Sequence, residues 1–207
     1  MPGLDFWYSI GSTYSYLTVM RIADAAAQAG VAVRWRPFNV RHVMTVQNNI
    51  PFKDKPEKTA YMWRDIERRA QRYGLQPRLP APYPLPELVL ANQIAALGAA
   101  EGWGEAYTQA AYRCWFEAGQ PAGEDPNLTV SLEAAGQDPA RVLAEAQADQ
   151  TVQALAEATE EAMGLGIFGA PSFSVAGEVF WGDDRLEDAL DWAQGRRQPL
   201  PGQILNK

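Results

Sequence analysis

The sequence is poor in the residues that redox and metal sites need. Its 207 residues include one cysteine, Cys114, and one histidine, His42. A lone cysteine excludes an intrachain disulfide and a dithiol redox pair. A lone histidine excludes a metal site built from several histidines and leaves only His42 as the base of a serine triad. Cys114 lies in an aromatic helical pattern typical of a buried side chain, and His42 has no acidic neighbour.

Positive charge and long apolar runs are also scarce. The net charge of −7 argues against a general nucleic-acid surface and against binding to anionic membranes. No run approaches the roughly 20 apolar residues of a membrane-spanning helix. The N-terminus has no basic stretch followed by an apolar one, so we expect no signal peptide and a cytoplasmic protein.

What is present is the composition of an ordinary globular protein. Hydrophobic residues make up 47% of the chain and charged residues 21%. The length predicts one domain with an insertion, or two closely packed lobes, with a sizeable hydrophobic core.

The first thirty residues have the pattern of strand, tight turn and helix. Leu4 to Ile10 is rich in aromatic residues and predicts a strand that ends before Gly11. A helical pattern starting at Ser12 runs to Gly30. Serine is a favoured N-cap, so Ser12 has a purely structural interpretation. A serine among the unpaired N–H groups of a helix start is also well placed to stabilise a thiolate or a carboxylate.

The middle of the chain is predicted to be helical. Val31 to Arg36 alternates like a second strand and completes a βαβ unit, and residues 39–56 look like a long loop. A proline-rich connector, Leu79 to Pro86, interrupts the helical part. The predicted helices are Lys58 to Tyr73, Glu87 to Glu101, Glu105 to Glu117 and Pro139 to Met163.

The sheet is expected to return near the C-terminus. Ser172–Val175 and Glu178–Trp181 are two short apolar runs joined by two residues, which predicts a hairpin. Asp184 and Glu187 have the spacing of a capping box before a final helix. Pro171 precedes the hairpin, and its peptide bond can be cis or trans.

This order, βαβ, helices, then ββα, is the layout of a thioredoxin-like α/β fold with a large all-helical insertion. We therefore predict a thioredoxin-like domain from residues 1–57 and 164–195. Residues 58–163 form the helical insertion, and residues 196–207 form a C-terminal tail.

Five motifs in this order give the chain its family resemblance. It resembles the 2-hydroxychromene-2-carboxylate isomerases, DsbA-like relatives of the kappa-class glutathione transferases, from Asp5 to about Trp192. The motifs are Ser12–Leu17, Asn49–Pro51, Lys58–Asp65, Gly166–Pro171 and Phe180–Leu186.

The resemblance implies glutathione as the cofactor and assigns roles in binding it. Ser12 matches the active serine that hydrogen-bonds the glutathione sulfur. Ala170, before Pro171, matches the residue whose backbone pairs with the cysteinyl part. A hydroxyl donor favours a thiolate over a thiol, whose pKa is ordinarily near 8.5.

Further contacts follow from the same resemblance. Asp183 and Asp184 match the contact with the γ-glutamyl group, although as helix caps they need no ligand. Asn49 matches a loop residue that reaches the tripeptide, and is otherwise a turn residue. Tyr83 lies near the position that contacts the aromatic substrate, and Lys53 is a further candidate there. Thr13 stands where many members have proline.

Three functions remain open on these residues. The first is a glutathione-dependent isomerase acting on a small aromatic carboxylate by reversible thiolate addition, and the second is a kappa-type transferase that releases a conjugate. The third is a non-catalytic glutathione-binding module. The resemblance also implies a homodimer. The aromatic run of α-helical spacing at Trp103, Tyr107, Tyr112, Trp115 and Phe116 suits either an interface or a core.

Overall fold

Strands lie at both ends of the part of the chain, residues 3–196, that this computed structural model describes. The strands are β1 Gly3–Tyr8, β2 Ala32–Pro37, β3 Ser172–Val175 and β4 Glu178–Trp181. The helices are α1 Ser15–Val19, α2 Ile22–Ala29, α3 Val40–Val46, α4 Pro56–Arg72, α5 Leu88–Glu101, α6 Gly104–Ala118, α7 Asn127–Ala134, α8 Pro139–Ala146, α9 Asp149–Gly164 and α10 Leu186–Ala193. A 3-10 turn, Asp183–Arg185, precedes α10.

The four strands form one mixed sheet in the order β2-β1-β3-β4. β1 and β2 run parallel, which requires the crossover that α1 and α2 supply. β3 is antiparallel to both β1 and β4, so the predicted hairpin is present. In this register Phe6 lies opposite Trp35 on one side and Phe173 on the other.

The central strand is buried on both faces. On one face Phe6 packs against Tyr8 and Phe173, with ring centroids 5.2 and 5.6 Å apart respectively. Trp7 points to the other face and packs against Phe38. The Trp7 Nε1–H donates to Ser174 Oγ over 3.0 Å, so its polar atom is satisfied inside the core. The sheet is therefore a middle layer between helices.

One hydrophobic core joins the sheet to the helical part of the chain. Its largest cluster includes Leu4 of β1, Ile66 of α4, Ile94 of α5, Tyr112 of α6 and Leu186 of α10. The division into a thioredoxin-like domain and a helical insertion remains a prediction, and the two parts share this core. The predicted tail lies outside the described residues except for Arg196.

Several predicted boundaries were wrong. The first helix begins at Ser15, not Ser12, and is interrupted between Val19 and Ile22. The long loop contains α3, because Asn39 caps a helix by accepting a hydrogen bond from the His42 N–H.

Two further helical predictions also need correction. The segment predicted as one helix from Pro139 to Met163 is α8 followed by α9, and α7 was not predicted. The capping box is absent, because the chain forms a 3-10 turn at Asp183–Arg185 and no side chain caps α10.

Among the described residues, no helix combines the length and the apolar character that crossing a membrane requires.

Candidate functional site

The turn between β1 and α1 brings Ser12 against the loop that precedes β3. The Ser12 hydroxyl donates to the Ala170 carbonyl over 2.7 Å, although the two residues lie 158 positions apart. The Ala170–Pro171 peptide bond is cis. Ser12 is thus not the N-cap of α1: residue Tyr14 holds that position, and α1 has only five residues. The group that this turn offers to a ligand is therefore the Ser12 hydroxyl, and not the N-terminal end of a helix dipole.

Two buried side chains hold the Ser12 turn in place. Asn92 of α5 accepts from the Ile10 N–H and donates to the Ile10 carbonyl, both over 2.8 Å. The Tyr112 hydroxyl of α6 lies 2.9 Å from the Ser9 carbonyl oxygen and 3.0 Å from that of Ser12. These contacts provide hydrogen-bond partners for backbone groups that follow the end of β1 and have no partner in the sheet. The helical part of the chain therefore positions the candidate serine.

Ser12 lies in the wall of a cavity of about 330 Å³. Its other walls come from α3, the loop after it, α4, the proline-rich connector and the loop before β3. Apolar and aromatic side chains dominate the lining: Met44, Ile50, Phe52, Tyr61, Met62, Tyr83, Leu88, Phe168 and Trp181. A volume and lining of this kind suit a small organic ligand.

Close packing shapes the wall beside Ala170. Phe168 and Trp181 pack with ring centroids 4.8 Å apart, and both remain partly exposed at the cavity. A Cβ at Gly169 would lie 2.6 Å from Trp181 Nε1. Only glycine therefore lets the indole approach the backbone there.

The charged residues that line the cavity, within the described chain, are all cations. They are Arg41 and Lys58, and no aspartate or glutamate belongs to the lining. Burial raises the pKa of the Tyr83 hydroxyl, while the Arg41 guanidinium opposes that shift. Tyr83 is therefore a protonated hydrogen-bond donor at neutral pH. An acidic protein thus presents a locally positive cavity.

A second polar region, which we call the Asp183 cluster, adjoins this site. It comprises Arg21, Arg69, Tyr73, Asp183 and Asp184. Arg69 Nη2 lies 2.9 Å from Asp183 Oδ2, and Arg21 Nη2 donates to the Asp183 carbonyl over 2.6 Å. The side chain of Asp183 is only 1% exposed, whereas that of Asp184 is 49% exposed.

Burial dominates the protonation of Asp183. It raises the pKa of this carboxyl to about 6, although the charges of Arg69 and Arg21 act in the opposite direction. One carboxylate oxygen, Oδ1, has no hydrogen-bond partner in the described chain. Asp183 is thus a buried carboxylate with one oxygen paired to Arg69 and the other unpaired within the described chain.

Comparison with known protein families identifies the family to which this chain belongs. The model of the DSBA-like thioredoxin domain matches residues 3–192. The protein belongs to the DSBA-like thioredoxin domain family.

Curated and structural relatives narrow the resemblance. This DSBA-like protein is 25% identical to the 2-hydroxychromene-2-carboxylate isomerase of Sphingobium xenophagum, over 89% of this chain and 94% of that one. It is also 25% identical to glutathione S-transferase kappa 1 of Caenorhabditis elegans, over 100% and 97% of the two chains. A solved structure of a 2-hydroxychromene-2-carboxylate isomerase superposes with a TM-score of 0.82 at 25% identity, covering 94% of this chain and 95% of that one. The resemblance and the thioredoxin-like fold predicted from the motifs are confirmed.

The DSBA-like fold brings together some of the predicted site residues and separates others. Ser12, Asn49, Tyr83 and Ala170 all line the cavity. Pro171 is outside the lining, and its carbonyl accepts from the Gly182 N–H over 2.9 Å.

Three predicted contacts are not part of the lining. Lys53 is exposed in the turn before α4, and the lysine that does line the cavity is Lys58, in the first turn of that helix. Asp183 and Asp184 also lie outside the lining, because Asp183 turns inward to Arg69. Their roles toward glutathione stay predictions.

The sequence did not indicate the supporting residues Asn92 and Tyr112. Each is a single polar or aromatic residue in an ordinary helical pattern, and its partners in the Ser12 turn lie at least 82 positions away. Lys58 carried a signal, since it begins one of the five family motifs.

The lone histidine and cysteine have no role in the cavity lining. His42 is exposed on α3. Cys114 is half-buried on α6, and burial raises the pKa of its thiol. The protonated thiol is a poor nucleophile.

Proposed function

We propose that this protein is a glutathione-dependent isomerase of 2-hydroxychromene-2-carboxylate or a related aromatic 2-oxo acid. The observation that carries the proposal is the meeting of the Ser12 hydroxyl and the Ala170 backbone in the wall of a positively charged aromatic cavity. The names of the curated relatives support it.

The backbone at Ala170 fits the cysteinyl part of glutathione. Its carbonyl accepts only from Ser12, and its N–H donates to no other described residue. An extended peptide pairs antiparallel with such a segment through one donated and one accepted hydrogen bond. The Ala170 N–H is therefore free for a peptide ligand, and the carbonyl needs only the Ser12 hydroxyl to turn away.

The Ser12 hydroxyl links sulfur binding to backbone binding. It has one proton, which points at the Ala170 carbonyl in the structure. When the hydroxyl turns to donate to a thiolate, it releases that carbonyl to accept from the ligand N–H. One rotation thus prepares both contacts and stabilises the ionised sulfur.

The charged ends of glutathione have matching groups nearby. Lys58 lines the cavity and its ammonium lies 5.6 Å from the Phe52 ring centroid, so it can approach a carboxylate without leaving that aromatic surface. Asp184 is the exposed member of the aspartate pair, so its carboxylate, which pairs with Arg185 at 3.1 Å, can also meet the γ-glutamyl ammonium. Asp183 instead holds the Arg69 side chain in place through their ion pair.

The residues of this chain would position the reaction rather than carry it covalently. Bound glutathione supplies a thiolate that adds reversibly to a conjugated carbonyl compound, which permits rotation about the former double bond before elimination. Ser12 favours the ionised sulfur, and the aromatic walls orient a flat substrate and exclude water. Serine itself forms no mixed disulfide.

A kappa-type transferase is the second candidate, favoured by the similarity to the Caenorhabditis elegans enzyme. It would use the same site but release the glutathione adduct. The isomerase regenerates free glutathione, so the product distinguishes the two activities.

Turnover of 2-hydroxychromene-2-carboxylate with catalytic amounts of glutathione tests the proposal. We expect isomerisation that stops when glutathione is removed, and a loss of about 10²–10³-fold in kcat/KM for Ser12→Ala. Thermal unfolding of both proteins controls for folding. Stoichiometric consumption of glutathione would favour the transferase, and turnover without glutathione would contradict the proposal.

The homodimer and the cytoplasmic location remain proposals. The aromatic run on α6 does not supply an exposed interface, because its members Tyr107, Tyr112, Trp115 and Phe116 are fully buried within one chain. They form core instead.

A further inference from the structure

Arg41 is a cation of the cavity for which the described chain offers no partner. Its side chain lines the cavity and is half-buried, yet its guanidinium forms no ion pair and no hydrogen bond with residues 3–196. Other half-buried arginines of this protein are paired: Arg36 with Glu161, and Arg69 with Asp183. A guanidinium with five free donors that faces a cavity is a binding group for an anion.

The stability of α3 does not explain why an arginine stands at position 41. α3 begins at Val40, so Arg41 lies in the first turn of the helix. A positive charge is unfavourable at that end, where the unpaired backbone N–H groups already carry partial positive charge. Helix stability would select an acidic residue there. The arginine needs another reason, and the cavity provides one.

Tyr83 offers a second free donor beside Arg41. Its hydroxyl has no hydrogen-bond partner within the described chain, and the charge of Arg41 acts on its pKa. The Tyr83 ring meets the Phe52 ring edge-on, with centroids 6.2 Å apart, so packing fixes its orientation. A carboxylate has two acceptor oxygens, which suit the guanidinium and the phenol together.

We propose that Arg41, assisted by the Tyr83 hydroxyl, binds the carboxylate of the substrate and thereby makes the site specific for anionic acceptors. The inference rests on the proposed function, in which Lys58 faces a carboxylate of glutathione. Lys58 then faces one of the two carboxylates of glutathione, and Arg41 is the lining cation left for the carboxylate of the substrate. A neutral conjugated carbonyl compound would leave Arg41 unpaired in a half-buried site, at a cost in affinity.

A two-by-two comparison of residue and substrate tests this assignment. Wild type and Arg41→Gln are each assayed with 2-hydroxychromene-2-carboxylate and with the corresponding carboxamide, at saturating glutathione. We expect Arg41→Gln to lower kcat/KM for the carboxylate by about 10- to 100-fold, mainly through KM. We expect less than about a threefold change for the carboxamide, which has no charge for Arg41 to bind.

Matched variants separate the local role from general charge effects. Arg72→Gln removes the same charge from an exposed position outside the cavity lining, and we expect both substrates to be unaffected. Arg41→Lys keeps the charge but loses the planar fork, so it should restore only part of the affinity. Equal losses on both substrates, or a weaker affinity for glutathione in Arg41→Gln, would overturn the assignment.

Binding of an unreactive analogue keeps the test independent of turnover. Chromone-2-carboxylate and chromone-2-carboxamide are titrated by calorimetry or by quenching of Trp181, which lines the cavity. If the wild type binds the carboxylate and Arg41→Gln does not, the inference holds even when no isomerisation is seen. If the two proteins bind both analogues equally, the inference fails whatever the activity.

Discussion

The cavity around Ser12 and the Asp183 cluster beside it differ in whether their charged side chains form ion pairs. In the Asp183 cluster, Arg69 pairs with Asp183 at 2.9 Å and Arg21 pairs with Glu187. In the cavity lining, Arg41 and Lys58 meet no carboxylate of the described chain. The arginines of the cluster form ion pairs within the described chain, whereas the two cations that line the cavity form none there.

This difference separates structural charges from binding charges. A buried ion pair costs desolvation and contributes mainly when both partners stay together. An unpaired cation in a cavity contributes nothing to folding but binds an anion strongly once water is displaced. The two aspartates differ in exposure: Asp183 is buried against Arg69, whereas Asp184 is half exposed and pairs with Arg185 at 3.1 Å.

The largest expected effect comes from breaking the support under the Ser12 turn. Asn92→Ala would leave the N–H and the carbonyl of Ile10 buried without partners. We expect the free energy of unfolding to fall by about 2–4 kcal/mol and glutathione affinity to fall with it. Urea denaturation and calorimetric titration measure the two quantities.

Asn127→Ala is the matched control for that variant. Asn127 is equally buried and donates to the carbonyls of Ala111 and Gln120, at 2.9 and 2.8 Å, away from the Ser12 turn. It should lose stability and keep its affinity for glutathione in the folded protein. Equal affinities in the two variants would show that Asn92 does not position the site.

The pH dependence of stability tests the Asp183 cluster. Burial raises the pKa of Asp183 from 3.8 to about 6. Between those values the folded protein holds a proton that the unfolded chain has lost, so this group's contribution to stability falls as pH rises through that window. Relative to Asp183→Asn, the wild type should lose about 2 kcal/mol of unfolding free energy between pH 4 and pH 7.

Asp184→Asn provides the comparison, since this carboxylate is half exposed. Its difference from the wild type should change far less with pH. A difference for Asp183→Asn that stays constant from pH 4 to pH 7 would mean that burial does not control its protonation.

The smallest expected effect concerns the second cation of the cavity. Lys58→Gln should weaken glutathione binding about 3- to 10-fold, less at high salt, because it removes one partly solvated charge contact. Lys53→Gln is the control, since Lys53 is exposed and does not line the cavity. Equal effects of the two substitutions on glutathione affinity would contradict a specific role for Lys58 in the cavity.

The order of elements and the hairpin could be predicted because they depend on local patterns. Alternating apolar residues mark β2 and β3, and glycines end the helices they follow. The helix α3 was missed because the signal for its start is a single residue, Asn39, within a stretch without clear periodicity. The break between α1 and α2 likewise has no glycine or proline to mark it.

The candidate site was only partly predictable, for a different reason. Ser12 and Ala170 belong to motifs, so their meeting could be expected from the fold. The inward turn of Asp183 depends on Arg69, which lies 114 positions earlier on α4. Contacts of that kind arise from tertiary packing and leave no local signal in one sequence.

The thiol pKa of glutathione bound to this protein tests the central claim most directly. It is obtained from thiolate absorbance as a function of pH, for the wild type and for Ser12→Ala. We expect the bound thiol to ionise about one to two pKa units below its usual value near 8.5, and the variant to lose that shift. An unshifted thiol in the wild type, or the same shift in Ser12→Ala, would contradict the account and leave Ser12 as a residue that only closes the turn onto Ala170.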